Sequence, residues 1–252
     1  MIYLTGDTHG GINMHKLSAG ELERQGISLK EDDYVIVTGD FGFPFLPKEI
    51  AEFESSGGRS GEYAFWIKWL TALPCTVLFV DGNHDNHDWW AEQAVTEMFG
   101  GRVQIHPHAP NVIHLLRGEV YSIDGVSFFA FGGAVSVDRE YRTEGVSWWA
   151  GEQATDEQIE NGRSNLERVG NRVDFVLSHT MPQNLIGRIP MFSRKICPDR
   201  TAEFLEEVQA TTEYKGWFCG HFHVDMPVFA HKLFILYNNV TPLAKFEEML
   251  EE

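Results

Sequence analysis

The hexapeptide Gly82-Asn83-His84-Asp85-Asn86-His87 sets two histidines, two asparagines and an aspartate directly behind the apolar run at 76–80. Four further polar clusters occupy the same kind of position. Asp7-Thr8-His9 follows residues 2–5, Gly39-Asp40 follows 34–38, Ser178-His179 follows 174–177, and Gly220-His221-Phe222-His223 follows 216–219. Aspartate oxygen, imidazole nitrogen and the asparagine carbonyl suit borderline first-row cations such as manganese, iron or zinc, whereas soft thiolate ligation is absent from these clusters. On extended backbone, the Asp7-x-His9 and His221-x-His223 spacings turn both side chains of each pair to one side. Glycines beside Asp7, Asp40, Asn83 and His221 permit the sharp turns that bring backbone close to a bound ion or phosphate.

Each cluster needs an element that delivers it. The runs before them are short, apolar and bounded by glycine or polar residues, as expected of strands covered on both faces. Helices are expected at 62–73, 88–99, 155–169 and 198–210. Thr155 and Gln158 form a capping box at the third of these, and Gly100-Gly101 ends the second. Residues 112–116, 119–123 and 126–131 predict successive strands with turns at Gly118 and Asp124-Gly125. Position 229, residues 233–237 and residues 244–246 predict another strand-rich stretch. The pattern is α/β with mixed sheets, and no linker or repeat divides residues 1–252, so a single domain is expected. The Gly/Ser-rich 55–61 reads as a loop. In such sheets the loops beyond the C-terminal strand ends converge on the ligand crevice, so distant clusters can share one pocket.

Composition narrows the function. The 252 residues are 43% hydrophobic and include 18 Phe and 7 Trp, which describes a folded globular chain. Lys and Arg total 20 against 37 Asp and Glu, a net charge of −17. That argues against stable nucleic-acid binding, which needs a concentrated positive field, but allows a small phosphate ester beside bound cations. The odd count of cysteines (Cys75, Cys197, Cys219) suits a reducing compartment. The N-terminus shows no export signal and no apolar stretch reaches spanning length, so a cytoplasmic protein without membrane association is expected. No oligomeric state follows from the pattern.

Taken in order, Asp7-x-His9, Gly39-Asp40, Gly82-Asn83-His84-Asp85, His179 and Gly220-His221-x-His223 resemble the calcineurin-like metallophosphoesterases, whose pattern is DxH, GD, GNHD or GNHE, an isolated His, and GHxH. The resemblance spans residues 5–223. It implies a four-layer α/β/β/α sandwich with two mixed sheets, and two transition-metal ions (Mn, Fe or Zn, with Mn favoured for activity). Asp7, His9, Asp40 and His223 would hold one ion; Asp40, Asn83, His179 and His221 the other, with Asp40 bridging. His84 would be the proton donor or phosphate contact, and Asp85 would orient it. Two cations about 3.5–4 Å apart can hold a bridging hydroxide and stabilise an in-line displacement, which implies hydrolysis of a small phosphomonoester or phosphodiester without a phosphorylated protein intermediate.

The Ser/Thr phosphoprotein phosphatase branch carries an aspartate-arginine-glycine after its GD block. Here Gly39-Asp40 runs into Phe41-Gly42-Phe43-Pro44, which disfavours that alternative. A metal-stabilised interaction scaffold without turnover is the other. Arg139, Arg142 and Arg188 are possible substrate contacts, with surface or supporting ion pairs the plainer role for the first two; Arg194 and Lys195 belong to the same 181–195 loop expected near the mouth. Trp148 and Trp149 could wall a substrate but fit loop packing better. His87 is a lesser alternative donor, and His106, His108, His114 and His231 are expected at the surface, behind the site or along a substrate wall.

Overall fold

The computed structural model describes residues 1–189 and 197–251. Strands β1 (Ile2–Thr5), β2 (Tyr34–Thr38), β3 (Thr76–Val80), β4 (Val95–Met98), β5 (Gly101–Ile105) and β6 (Val112–Leu115) belong to the first sheet. Strands β7 (Glu119–Ile123), β8 (Val126–Phe131), β9 (Phe175–Ser178), β10 (Gly216–Cys219), β11 (Met226–Val228) and β12 (Leu233–Ile235) form the second, before β13 (Thr241–Pro242) returns to the first. The first sheet runs β13-β1-β2-β3-β6-β5-β4, parallel across β1, β2, β3 and β6; the second runs β11-β12-β10-β9-β8-β7, parallel from β12 to β8.

The period-2 alternation of strand side chains explains the layering. Ile2, Leu4, Ile36, Leu78 and Val80 point inward to meet Phe128, Phe175, Leu177 and Phe218 of the other sheet. Their neighbours Tyr3, Val35, Val37, Val77 and Phe79 point outward onto α1 (Ala19–Arg24) and α3 (Gly61–Thr71). Between these lies α2 (Pro47–Ser55), and α4 (His87–Ala91) follows the third strand. Phe129, Phe131, Val176, Trp217 and Cys219 face α5 (Asp156–Arg168), α6 (Gln183–Ile186) and α7 (Arg200–Thr211). Helix, sheet, sheet and helix layers therefore follow from three apolar clusters, as the sandwich requires.

Local signals explain several boundaries. Thr155 accepts from the Gln158 amide at 3.2 Å while Gln158 accepts from the Thr155 amide at 3.0 Å, the reciprocal box that starts α5. Asp124 and Gly125 have φ of 50° and 80°, the paired positive values of a two-residue hairpin between β7 and β8. Three expectations fail. Residues 88–99 are not one helix: α4 stops at Ala91, and β4 pairs with β5 across a turn at Phe99-Gly100, both with positive φ. The glycine pair read as a helix stop thus belongs to a hairpin. Residues 244–246 lie not in a strand but in α8 (Leu243–Glu251), whose Phe246 ring sits 4.9 Å from Phe218 and 4.8 Å from Phe234. Phe229 likewise starts a short 3₁₀ turn.

Candidate metal centre

Five strand ends deliver the polar clusters to one place. The amides of Thr8 and His9 donate to the Asp40 carbonyl at 3.1 and 2.7 Å, joining the loops after β1 and β2. The Gly220 amide donates to the His179 carbonyl at 2.9 Å, joining those after β9 and β10. Across the sheets, the His221 amide donates to Asp7 Oδ1 at 3.0 Å; within the first sheet, the His84 amide donates to Asp40 Oδ1 at 2.7 Å. His9, Asp40, His221 and His223 all hold left-handed backbone, with φ of 44°, 47°, 68° and 53°. Such conformations persist for side-chain-bearing residues only where the surroundings fix them, and they concentrate at functional sites. Two glycines are required by close approach: a Cβ on Gly82 would stand 2.1 Å from Asp40 Oδ1, and one on Gly220 the same distance from Asp7 Oδ1.

Asp7, His9, Asp40 and His223 each offer a ligand atom, all within 4.8 Å of one another. His9 Nε2 lies 3.2 Å from Asp40 Oδ2, and His223 Nε2 lies 3.2 Å from Asp7 Oδ2. On the other side of Asp40, His179 Nε2 lies 3.2 Å from Oδ1 and 3.1 Å from Asn83 Oδ1. His179 Nδ1 donates to the Thr38 carbonyl at 2.9 Å, which fixes the tautomer and leaves Nε2 facing the oxygens. The His221 ring is 4.9 Å from that of His179. Asp40 therefore shows one oxygen to each group.

These residues fit divalent cations. Asp40 Oδ2 is buried and accepts no well-directed hydrogen bond, despite the nearby His9 nitrogen. Burial alone would raise the Asp40 carboxyl, but the imidazoles of His179 and His9 hold it well below the usual carboxylate range. Burial would lower His179; the charges of Asp40 and Asp7 instead push it up to about 10. His9 is raised in the same way. Positive charge is thus called for between the carboxylates, and oxygen and nitrogen donors of this kind accept it from a cation as readily as from protons. His221, by contrast, is lowered to about 3 by burial and by His179, so it presents a neutral ligand nitrogen.

The surroundings show supports that the sequence did not reveal. Asn83 Nδ2 donates to Ser136 Oγ at 3.1 Å, which directs its carbonyl oxygen toward His179. Ser136 Oγ donates to Glu152 Oε2 at 2.7 Å, and Arg139 Nε donates to the buried Glu152 at 2.7 Å. Arg139 is consequently the counter-charge of Glu152, stacked on Trp148 at 4.9 Å, and lines neither cavity at the centre. Lys16 Nζ, buried, donates to the Gly6 carbonyl at 3.1 Å and to that of Asp7 at 2.7 Å, tying down the first loop. Burial lowers that amine to about 8. No spacing in the sequence singles out Ser136, Glu152 or Lys16.

Other expectations are corrected. Asp85 does not use its carboxylate to orient His84: Oδ1 accepts from the Gly42 amide and Oδ2 from the Gly82 amide, each at 2.7 Å, so it fastens two loops together. Burial and the Asp40 charge raise it to about 7. Arg142 is what lies against His84, with Nη1 3.3 Å from Nδ1 and Nη2 3.4 Å from Nε2, while its Nε donates to Asp138 at 2.6 Å. Burial lowers the His84 ring, and Arg142 adds to this. Arg188 is exposed beyond α6 and lines neither cavity at the centre, and Arg194 and Lys195 lie outside the described residues. His87 turns away, its Nε2 2.9 Å from the Gly82 carbonyl and its Nδ1 3.7 Å from Asp81. His114 is buried between Gln104 and Asp81, and His106 is buried against Tyr63, so both are core residues. Trp149 is also buried, packing edge-on against Phe45 at 5.1 Å.

Among solved structures, one crystal structure aligns over 94% of this chain and 90% of its own at 12% identity and a TM-score of 0.48. A provisionally named 5′-nucleotidase of Staphylococcus aureus, solved in complex with alpha-ketoglutarate, aligns over 99% of this chain and 57% of its own at 10% identity and a TM-score of 0.41. No curated protein matches significantly. No described helix is long and apolar enough to cross a membrane. The family model described as calcineurin-like phosphoesterase matches residues 1–225, a span that holds every candidate donor residue described above, and the chain belongs to that family.

Proposed function

We propose that the chain hydrolyses a small phosphate ester at a two-cation centre. Asp7, His9 and His223 would hold one ion, Asn83, His179 and His221 the second, and Asp40 both. The observation that carries this reading is the gathering of six donor residues from four other loops around Asp40, whose buried Oδ2 has no well-directed hydrogen bond. Bound divalent cations supply Lewis-acid charge to a phosphoryl group and its attacking water. The chain's own residues supply the rest. Neutral Asn83 adds an oxygen donor without a further negative charge, its amide oriented by Ser136. Arg142, steadied by Asp138, offers a guanidinium to a non-bridging phosphate oxygen, in the two-pronged geometry that suits phosphate. His84 stands beside it as a neutral ring, able to donate one hydrogen bond to a phosphoryl oxygen. Manganese-reconstituted protein should hydrolyse aryl phosphate esters, and Asp40→Asn, which removes the shared charged ligand, should lose that turnover. Equal background rates in both proteins, with cations bound to the unsubstituted chain, would sink the hydrolase reading and favour a metal-stabilised scaffold.

A further inference from the structure

Two separate cavities meet at His84 and Arg142, which line both. The first, about 240 Å³, starts at Asp40, Asn83, His221 and His223 and continues outward along Val135, Val137 and Ile186. The second, about 390 Å³, starts at His9 and continues along Phe43, Phe45 and Leu46. A phosphorus atom held at the candidate metal centre beside Arg142 thus has an open, partly apolar space on each side. An ester with one organic substituent would fill one space and leave the other to water.

The charge of the walls points the same way. Beyond the ligand residues, the first cavity carries Asp138 and Asp199 and the second Glu49 and Glu62. Arg142 is the only lysine or arginine among the described residues lining either, and Asp138 already pairs with it at 2.6 Å. A phosphomonoester carries a charge of about −1.5 to −2 at neutral pH. A diester carries a single negative charge spread over two non-bridging oxygens, so although bound cations would attract either ester, the four surrounding carboxylates oppose the diester less. A substrate arm bearing a further phosphate would meet the same carboxylates and is disfavoured in either cavity.

Resting on the hydrolase reading above, we infer that the substrate is a monoanionic phosphodiester with two organic arms, one in the Val135–Val137–Ile186 cavity and the other in the Phe43–Phe45–Leu46 cavity. Attack by water would form one P–O bond and break the P–O bond to one arm, releasing that arm as an alcohol and the other as a phosphomonoester; one proton of the water goes to the departing oxygen, and the second stays on the monoester until it is lost to solvent, its second ionisation falling at about pH 6.

The test compares bis(p-nitrophenyl) phosphate with p-nitrophenyl phosphate on the manganese-loaded full chain, and repeats both with Leu46→Trp and Val137→Trp, which add bulk to one cavity each from a half-buried and an exposed wall position. The expected kcat/KM for the diester exceeds that for the monoester by at least about tenfold, the discrimination one shaped pocket gives. Each filling variant should lower diester turnover by at least about tenfold more than monoester turnover, because a monoester can use the remaining space. A smaller preference in the unsubstituted protein, or variants that depress both substrates alike, overturns the diester assignment while leaving the hydrolase standing. Turnover of neither substrate with two manganese ions bound overturns both.

Discussion

Removing one hydroxyl should loosen the second cation without touching a ligand. Ser136 Oγ accepts from Asn83 Nδ2 at 3.1 Å and donates to Glu152 Oε2 at 2.7 Å, in a place where both Ser136 and Glu152 are buried. In Ser136→Ala a neutral hydrogen bond of about 1 kcal/mol and one to a carboxylate of about 1.5–3 kcal/mol disappear, and water cannot easily replace them. Glu152 keeps the Ser136 backbone amide at 2.9 Å and Arg139 at 2.7 Å, so the chain should still fold, less stable by about 2.5–4 kcal/mol. The larger consequence is at Asn83, whose amide loses the partner that directs its oxygen inward. Loss of such an outer support typically costs about 10–100-fold in metal affinity. Calorimetric titration of metal-free protein with manganese should show the site at Asn83, His179 and His221 weakened by that factor, with the site at Asp7, His9 and His223 little changed. Ser136→Thr, which keeps the hydroxyl, should restore it. Equal weakening of both sites, or wild-type titration in the alanine variant, would refute the role assigned to Ser136.

Three further outcomes follow from the same geometry. Arg142→Ala should lower kcat/KM by about tenfold to a hundredfold, the loss of one charge-assisted contact, while two cations still bind; steady-state kinetics beside metal analysis would show it. Arg117, whose Nε donates to buried Asp81 at 2.8 Å, should destabilise the fold by about 3–5 kcal/mol when replaced by Met, and Arg117→Met with Asp81→Asn should recover part of that loss in urea denaturation. His106 is lowered to about 3 from 6.5 by burial, with the charge of His108 adding to it, so the folded chain keeps it neutral where the unfolded chain protonates it. The stability it contributes is present above the unfolded value and is lost as pH falls toward the folded one. Unfolding free energies between pH 6 and 4 should therefore decline less steeply in His106→Phe, by about 1.4 kcal/mol per pH unit.

The seven proposed ligands were legible because each sits directly after an apolar run whose end had to turn, and because glycines beside them marked close approach. Element types were legible where one periodicity dominated, as in β2, α5 and the β7–β8 hairpin. Residues 88–99 misled because tryptophans and apolar positions mimic a helix, while the glycine pair that stops a helix also suits a tight hairpin. The helix at the C-terminus was written in Leu243, Phe246 and Leu250 at helical spacing, but the short window 244–246 hid it. Histidine types alone did not separate His106 and His114, which the core absorbs, from His179, which has the same burial beside Asp40. Ser136 and Glu152 were out of reach for another reason: Ser136 meets Asn83 across 53 positions, and nothing local in either segment records the contact. Asp85 belongs with them, since its partners Gly42 and Gly82 are backbone amides that any residue offers.

The shared role of Asp40 is tested most directly by anomalous scattering from crystals of the manganese-loaded protein. Two peaks are expected about 3.5–4 Å apart, one against Asp7, His9 and His223, the other against Asn83, His179 and His221, with Asp40 touching both. A single peak, or manganese bound away from Asp40, would contradict a two-cation centre built from these seven residues.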